Sequence, residues 1–341
     1  MPYLYVYALV CYLHYKPQRA IIILCPKQTF LAFRSRKGFL NMKISVVIST
    51  YNGEKYIEEQ MKSILAQTRQ ADEVLIFDDC SSDTTVQIVQ KFIKDNALQN
   101  WKLTVNERNK GWRRNFMEGL SKADGDILFT SDQDDIWFPE KLEEMSEIMQ
   151  KHPEIHLLCC KAAMFFGNTP PSKDNMSATG KLIKVSKKRQ FLSMDNPGCT
   201  YCFTKKLYNE AMGIWKTSFA HDAILWRAAL IQDGAWIYDK PLIWWRKHAA
   251  SSFTIEDGRK RNKTSRIEIL DTYIEYLRAL DAFANGDDSK KILKKNYDWC
   301  ELRKRFYTSK NPICGLRLFG SLSLYRNLKH YLSDWVIAYF W

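Results

Sequence analysis

Three aspartates within four residues, Asp132, Asp134 and Asp135, are the side chains in this sequence best suited to chemistry. They follow the apolar run 127–129, which predicts a buried strand, and they precede a predicted helix that begins near residue 138. Carboxylates packed this closely repel one another and raise one another's pKa unless a cation compensates them. The cluster therefore indicates either a solvated acidic turn or a site for Mg²⁺ or Mn²⁺, which prefer oxygen ligands and often share a substrate phosphate.

The elements that position these aspartates follow a repeating pattern. Strand, loop and helix alternate four times between residues 44 and 151, which predicts an α/β fold with an open, mostly parallel sheet flanked by helices. Ligands bind such sheets at the carboxyl edge of the strands. The polar residues that follow the first three strands are Thr50 and Asn52, Asp78 and Asp79, and Asn106 and Asn109. Their convergence with the aspartates predicts a ligand site at that edge.

Two common nucleotide-binding motifs are missing from the sequence. No GxGxxG follows the first predicted strand, and no GxxxxGK[ST] occurs anywhere in the chain. A dinucleotide-binding Rossmann domain and a P-loop NTPase are therefore disfavoured.

The 341 residues include 46% apolar and 26% charged residues, which is typical of a globular protein. The net charge of +13 lies mainly at the ends: +6 in residues 1–41, +6 in residues 286–341 and +1 in between. Basic ends suit an anionic membrane surface, nucleic acid or plain solubility, and no nucleic-acid-binding motif supports the second. Nine scattered cysteines, with a single CxxC at residues 199–202, predict free thiols in a reducing cytoplasm and no zinc site.

The chain divides into three predicted regions. Residues 1–41 form a basic, aromatic extension whose apolar run 3–15 is too short for a membrane span. We favour Met42 as the natural start and the extension as a gene-model artefact; the alternative is a membrane-associating segment. Residues 42–255 form the α/β domain. Residues 256–341 form a helical, basic region in which residues 313–341 predict an amphipathic helix, lying on a membrane or packed on its own domain.

Several motifs occur in order and at consistent spacing: residues 44–53 with Tyr56, residues 78–84, residues 109–115, and residues 131–137 with Lys141 and Leu142. Together they resemble the family 2 glycosyltransferases, and most closely the rhamnosyltransferase-like branch of bacterial surface-polysaccharide synthesis. The resemblance runs from about residue 43 to about residue 253. It implies a GT-A fold, a single α/β domain that binds a nucleotide-sugar.

The resemblance also implies roles for individual residues. The nucleotide-sugar would be bound by Thr50, Tyr51, Asn52, Glu54, Asp78, Asp79, Asn109, Arg114 and Asp132. Whether Asp78 or Asp79 recognises the base stays open. A bound Mg²⁺ or Mn²⁺ would be held by Asp132, Asp134 and Asp135, and by His248 of an Arg-x-His element that begins at Arg246.

The catalytic base implied by the resemblance is Asp222, which opens a predicted helix over residues 223–231. Without the resemblance, the expected role of an aspartate at that position is to cap the helix. The acceptor side would comprise Trp137, Gly198, Cys199 and His221. The family's processive synthases carry a QxxRW motif and several membrane spans, which this sequence lacks, and this indicates the transfer of single sugars.

The sequence therefore predicts an inverting, metal-dependent glycosyltransferase that moves one sugar, such as rhamnose. The donor would be a dTDP- or UDP-linked sugar and the acceptor a glycan or polyprenyl-linked glycan, at the inner face of the plasma membrane or in the cytoplasm. A sugar nucleotidyltransferase is the second hypothesis, but residues 49–54 offer a single glycine and no basic residue to hold a triphosphate. A non-catalytic glycan- or lipid-binding protein is the third, and the intact aspartates argue against it.

Overall fold

The computed structural model describes residues 42–172, 176–188, 191–194, 196–248 and 262–340. The predicted extension at residues 1–41 and the predicted boundary at residue 255 lie outside these residues. Within them, the predicted α/β sheet flanked by helices, with a helical C-terminal region, is confirmed.

Four parallel strands form one half of the sheet: β1 (Ile44–Thr50), β2 (Glu73–Asp78), β3 (Trp101–Val105) and β4 (Ile127–Ser131). They lie in the order β3-β2-β1-β4, so the loops that follow them meet at one edge. β1, β2 and β4 are apolar runs rich in β-branched and aromatic residues, because both of their faces are buried. β3 is the edge strand and is exposed over most of its length. This half matches the sequence prediction.

The other half of the sheet is mixed. It contains β5 (Ile136–Trp137), β6 (Leu157–Phe166), β7 (Leu182–Lys184), β8 (Tyr201–Thr204) and β9 (Ala235–Lys247). The order continues β4-β8-β6-β9-β5, with β8 antiparallel to both of its neighbours and β7 antiparallel to β9. Strand β7 lies inside residues 168–188, a segment whose proline, serine, asparagine, lysine and glycine content favours a long loop.

The apolar runs at residues 235–238 and 242–245 favour two short strands. Pro241 lies between them and lacks the N–H that a strand interior needs. The chain instead stays extended from Ala235 to Lys247 along β6. Register shifts on either side of Lys161 accommodate the irregularity. The longer strand carries Arg246 to the site.

Helices cover both faces of the sheet. The helices are α1 (Ile57–Leu65), α2 (Thr85–Asp95), α3 (Trp112–Ser121), α4 (Lys141–Lys151), α5 (Lys205–Ile214), α6 (His221–Ile231), α7 (Lys263–Leu280), α8 (Gly286–Ser309), α9 (Pro312–Phe319) and α10 (Leu328–Phe340). Side chains alternate along each strand, so Val46 and Ile48 of β1 pack with α1, α2 and α4, whereas Val47 packs with α3, α5 and α6. The C-terminal helices extend this second core.

The single amphipathic helix predicted over residues 313–341 is two helices, α9 and α10, joined through a 3₁₀ turn at Leu322–Leu324. Asp334 of α10 is 2% exposed and ion-pairs with Arg303 of α8, with Nη2 to Oδ1 at 2.7 Å. The hydroxyls of Tyr307 and Tyr325 donate to the same carboxylate at 2.5 and 2.6 Å. This buried network fixes α10 on α8. Among the described residues, no helix is long and apolar enough to cross a membrane.

Candidate active site

The aspartate cluster lies directly after β4. Asp135 is 1% exposed, and its Oδ1 accepts a hydrogen bond from the backbone N–H of Arg246 at 3.1 Å. Its Oδ2 is buried and has no hydrogen-bond partner. Donor atoms of Asp132, Asp135 and Cys199 lie within 4.8 Å of one another. A buried carboxylate oxygen without a partner is costly, and an oxygen-preferring cation would satisfy it.

The electrostatics of the cluster agree with that geometry. Burial and the charges of Asp134 and Asp222 raise the pKa of Asp132 to about 7. Burial, followed by the charges of Asp134 and Asp132, raises the pKa of Asp135 well above its usual range. The carboxylates therefore lack sufficient positive charge around them, and the donor set fits a hard divalent cation such as Mg²⁺ or Mn²⁺.

A buried lysine beneath the cluster supplies part of the missing charge. Lys141 is fully buried at the start of α4. Its Nζ donates to the Cys199 carbonyl at 2.6 Å and lies 3.8 Å from the centre of the Trp137 ring. Burial lowers the Lys141 pKa. One buried lysine does not balance three carboxylates.

The end of β9 holds the other side of the cluster. His248 Nε2 lies 2.7 Å from Asp134 Oδ2. Arg246 is 2% exposed; its Nε donates to the Asp134 carbonyl at 2.8 Å, and its guanidinium pairs with Glu59 of α1. The same guanidinium lies against the Tyr56 ring. These contacts bring the predicted Arg-x-His element to the aspartates.

The loop after β1 is tied to the aspartate loop by one side chain. Gln133 accepts from the Tyr51 backbone N–H at 2.8 Å and donates to the Tyr51 carbonyl at 3.0 Å. Gly53 lies so close that an added Cβ would approach Gln133 Oε1 to 2.3 Å. A larger residue there would displace the Gln133 amide from the Tyr51 backbone. The two loops thus form one surface.

Asn52 and Glu54 connect the β1 loop to the segment after β2. Asn52 has a left-handed backbone (φ 48°), and its Oδ1 accepts from the Ser82 N–H at 2.9 Å. The Glu54 carboxylate accepts from the Thr84 hydroxyl at 2.7 Å. The side chains of Tyr51, Asn52 and Glu54 are exposed at the sheet edge. They are placed where a ligand at that edge would meet them.

Asp78 and Asp79 are both buried at the end of β2. Asp78 accepts from the Thr50 hydroxyl at 2.8 Å and from the Ser81 N–H at 2.8 Å. Asp79 accepts from the backbone N–H groups of Lys110 and Gly111, each at 2.8 Å. Thr50 and both aspartates therefore hold the loops of the site together in this structure.

The remaining predicted nucleotide residues lie at the start of α3. Asn109 Oδ1 accepts from the Gly111 N–H at 3.0 Å and shapes the turn into the helix. Arg114 is exposed and its Nε donates to Glu118 on the same helix at 2.7 Å. The structure therefore places Asn109 at the sheet edge and directs Arg114 along the surface of α3.

Among the acceptor-side residues, the Gly198 backbone lies close to Asp222 and His221 at the start of α6. Gly198 accepts a hydrogen bond from the Thr130 hydroxyl at 2.8 Å. A Cβ on Gly198 would lie 2.8 Å from Asp222 Cβ and 3.1 Å from His221 Nε2. Asp222 is the second residue of α6, and its Oδ1 accepts from the Ala223 N–H at 2.7 Å. Gly198 thus separates the end of β4 from Asp222.

All four predicted acceptor-side residues, Gly198 and Cys199 as well as His221 and Trp137, are buried. His221 is 4% exposed, stacks on Phe116 with ring centres 4.0 Å apart, and has no hydrogen-bond partner on either ring nitrogen. Burial lowers its pKa to about 4, so it is neutral at physiological pH. Trp137 is 2% exposed and lies beneath the cluster. Its ring supports Lys141, and in this position it cannot stack on a sugar.

Several known proteins are similar to this chain in sequence and in fold. The sequence profile described as glycosyl transferase family 2 matches residues 45–212. The β-1,3-glucosyltransferase WfgD of Escherichia coli is 30% identical over 189 residues, which cover 55% of this chain and 69% of WfgD. The chain belongs to glycosyltransferase family 2. It is therefore an enzyme that transfers a sugar, and the identification made from the sequence motifs is confirmed.

Two further similarities place this family 2 glycosyltransferase among its relatives. The dTDP-rhamnosyl transferase RfbG of Shigella flexneri is 29% identical over 268 residues, covering 71% of this chain and 88% of RfbG. A solved structure of residues 1–349 of Staphylococcus aureus TarS, in complex with UDP-GlcNAc, has a TM-score of 0.58 at 21% identity, covering 87% of this chain and 79% of that one. At this identity the structural similarity supports the GT-A fold alone.

Several residues that shape the site of this glycosyltransferase were not predicted to do so. Gln133 was read only as the middle of the aspartate motif, and Lys141 only as part of the resemblance. Tyr276 of α7 accepts a hydrogen bond at its hydroxyl from the Ala220 N–H at 2.9 Å, directly before α6. The sequence offered no signal for Tyr276, because its partner lies 56 residues away. A lysine two residues after a Pro, at the start of a helix beside acidic residues, could have suggested a buried cation.

The first prediction concerns Gly198. We expect Gly198→Ala to lower kcat by about tenfold to a hundredfold, because the new methyl group must displace Asp222, and small displacements of reacting groups have effects of this size. We also expect a loss of about 1–3 kcal/mol in stability from overpacking. Steady-state kinetics and urea unfolding measure both. Gly213→Ala is the matched control, since a Cβ there meets nothing within 4 Å; equal losses in both variants would contradict the prediction.

Proposed function

We propose that this family 2 enzyme is an inverting, metal-dependent transferase that moves one sugar from a nucleoside-diphosphate sugar to an acceptor hydroxyl. The observation that carries the proposal is that the aspartate cluster lies on one side of Gly198 and a fourth aspartate, Asp222, lies on the other. Asp132, Asp134 and Asp135 follow β4, while Asp222 comes from α6 and is close enough to raise the pKa of Asp132. The residues that bind the diphosphate and the residue that removes the proton would thus lie on separate elements.

The donor would lie along the loops after β1 to β4. Tyr51, Asn52 and Glu54 are exposed at this edge for contact with the nucleotide, and Asp79 holds the turn at residues 109–111 that borders it. We assign the base-recognising role to this border, with Asp78 and Asp79 supporting it. The inner carboxylates, Asp132, Asp134 and Asp135, would face the diphosphate, with His248 fixing the orientation of Asp134.

A divalent cation would neutralise the negative charge that develops on the leaving diphosphate. Asp132 and Asp135 offer oxygens that fit it, and the unpartnered Oδ2 of Asp135 is the most direct support. Lys141 lies beneath them and contributes a fixed positive charge to the same region. The Cys199 thiol stays protonated, because burial and the charges of Asp135 and Asp132 raise its pKa well above the usual range.

Asp222 would act as the general base. It takes the proton from the acceptor hydroxyl while the acceptor oxygen attacks the anomeric carbon and the bond to the diphosphate breaks. A base on the face opposite the leaving group gives in-line displacement with inversion. The neutral ring of His221, stacked on Phe116, and the hydrogen bond from Ala220 to Tyr276 keep the start of α6 in place.

The donor we favour is a dTDP- or UDP-linked sugar, with rhamnose as the first sugar to test. RfbG, which aligns over most of its length, is a dTDP-rhamnosyl transferase, and TarS was solved with UDP-GlcNAc. The acceptor would be a glycan or a polyprenyl-linked glycan of a bacterial surface polysaccharide, because WfgD acts on a diphosphoundecaprenol-linked sugar. Such an acceptor places the reaction at the cytoplasmic face of the plasma membrane.

The test is release of nucleoside diphosphate from a panel of dTDP-, UDP- and GDP-sugars, with Mg²⁺, with Mn²⁺ and with EDTA. We expect turnover of one donor class with a divalent cation and its loss in EDTA. A panel in which no donor is turned over, and none raises the melting temperature, would contradict the proposed function. Turnover that persists in EDTA would contradict the metal dependence alone.

The second prediction concerns cation binding without substrate. Saturating Mn²⁺, at about 100 times its Kd, should stabilise the protein by about 2.7 kcal/mol, seen as a rise in Tm. Because the pKa of Asp132 is raised to about 7, a proton occupies that carboxyl at lower pH and must be displaced by the cation. We therefore expect a larger rise in Tm at about pH 8 than at about pH 6.

Asp135→Asn should reduce the Mn²⁺-dependent rise in Tm, because it alters the carboxylate whose Oδ2 lacks a partner. Asp124→Asn, on an exposed residue before β4, should leave the rise unchanged. A rise that is the same in both variants, or that grows as the pH falls, would show that the cation binds elsewhere.

A further inference from the structure

The outer surface of α9 and α10 is strongly apolar. Ile313 and Leu316 of α9 are 57% and 64% exposed, and Leu332 and Phe340 of α10 are 52% and 83% exposed. The full set of exposed large apolar residues on these helices is Ile313, Leu316, Phe319, Leu328, Leu332, Val336, Tyr339 and Phe340. We name this set the C-terminal apolar surface. Contiguous apolar surface of this kind on a folded protein marks an interaction site.

The two helices present these side chains on the same side. A Cβ on Gly315 would lie 2.5 Å from the Trp335 ring, and the Phe319 and Tyr331 rings are 5.9 Å apart. Gly315 and Phe319 of α9 thus contact Trp335 and Tyr331 of α10. The residue numbers rise along one helix as they fall along the other, so the helices are antiparallel neighbours. Their buried sides, with Leu318 and Ile337, face the second core. Helical spacing then directs both exposed stripes away from the protein.

The exposed charged side chains within residues 310–340 are all positive. Residues 310–340 contain four Lys/Arg, namely Lys310, Arg317, Arg326 and Lys329, and one acidic residue. That residue, Asp334, is 2% exposed and is paired with Arg303. Arg317, Arg326 and Lys329 are exposed on the helices or at the turn between them. Within residues 310–340 the exposed side chains therefore include apolar and basic ones, and none is a carboxylate.

We propose that the C-terminal apolar surface docks the enzyme on an anionic lipid membrane. Amphipathic helices with exposed leucine, aromatic and basic residues lie in the headgroup region, where the apolar side chains enter the acyl boundary and the cations pair with anionic lipids. A second copy of this chain is the weaker alternative, because two such surfaces would bring like charges together. The inference deepens the proposed function, since it supplies the contact with a membrane-borne acceptor, and it is tested without turnover.

The experiment is co-sedimentation of the full chain with vesicles of phosphatidylcholine and of phosphatidylcholine with phosphatidylglycerol. The wild-type protein should bind the anionic vesicles and lose binding at high salt. Val336→Glu should lower the partition coefficient by about tenfold, through lost apolar contact and repulsion of anionic lipid. Removing basic charges in Arg317→Gln and Lys329→Gln should each cost about fivefold.

Val105→Glu is the matched control, because Val105 is 46% exposed on β3 and Val336 is 48% exposed on α10. Its vesicle binding should equal that of the wild type, and the Tm of each variant reports folding. Equal binding to neutral and anionic vesicles, or equal losses in Val105→Glu and Val336→Glu, would overturn the inference. So would size-exclusion data in which Val336→Glu dissociates a dimer while vesicle binding is unchanged.

Turnover of a water-soluble acceptor separates this inference from the proposed function. Val336→Glu should keep that turnover while losing vesicle binding. An enzyme that binds vesicles but turns over no donor would contradict the proposed function and leave the docking surface intact.

Discussion

We expect Asp222→Asn to lower kcat by about 10²- to 10⁴-fold, the usual contribution of a general base. Asparagine has the same shape but cannot accept the proton of the acceptor hydroxyl at neutral pH. Its side-chain oxygen can still accept the hydrogen bond from Ala223 that the aspartate accepts at 2.7 Å. The start of α6 should therefore keep its structure, and the KM for the donor should change little.

The measurement is single-turnover and steady-state kinetics with the donor identified in the panel, together with donor binding by thermal shift. Asp95→Asn is the matched control, because this residue is about half exposed, pairs with Lys91 and lies at the end of α2. Full transferase activity in Asp222→Asn would remove the assignment of the base. A lowered donor affinity with unchanged kcat would instead place Asp222 in donor binding.

Removing Asp334 should have the largest effect on stability. Its carboxylate accepts from Arg303 and from the hydroxyls of Tyr307 and Tyr325. Asp334→Ala leaves the Arg303 guanidinium buried without its counter-ion, and breaking a buried pair in this way costs about 3–5 kcal/mol. We expect the free energy of unfolding in urea to fall by that amount, with α10 separating from α8.

Asp298→Ala on the same α8 is the control, because its pair with Lys294 is exposed and such pairs contribute about 0–1 kcal/mol. The double variant Arg303→Met with Asp334→Leu should recover much of the loss, since apolar residues of similar volume replace a buried pair with little cost. A loss below about 1 kcal/mol in Asp334→Ala would mean that water reaches the cavity and compensates Arg303.

The parallel half of the fold could be predicted from the sequence, because its strands are short β-branched runs and each ends in polar residues. β8 could not be placed, because four residues carry no information about whether they run with or against β4. A proline in an isolated sequence indicates a break, but β9 continues through Pro241. The extra residues of β9 opposite Lys161 of β6 show how the strand continues.

The site divides in the same way. Local motifs predicted the aspartates and the exposed loop residues, and the structure brings these together. Lys141, Gln133 and Tyr276 act through partners far away in the sequence, so local patterns gave them no role. Trp137 is the opposite case: it was predicted on the acceptor side, but it ends β5 and is buried in the core.

The two hydrogen bonds between Gln133 and the Tyr51 backbone join the loop after β1 to the aspartate loop after β4. A ligand that orders one loop must order the other, so the proposed cation and donor should bind cooperatively, and thermodynamic linkage requires the effect to be equal in both directions. Enzyme with both the cation and the donor bound would then be populated at the expense of enzyme with only one of them bound. The cell would then expose few copies that hold a sugar donor without the cation needed to use it.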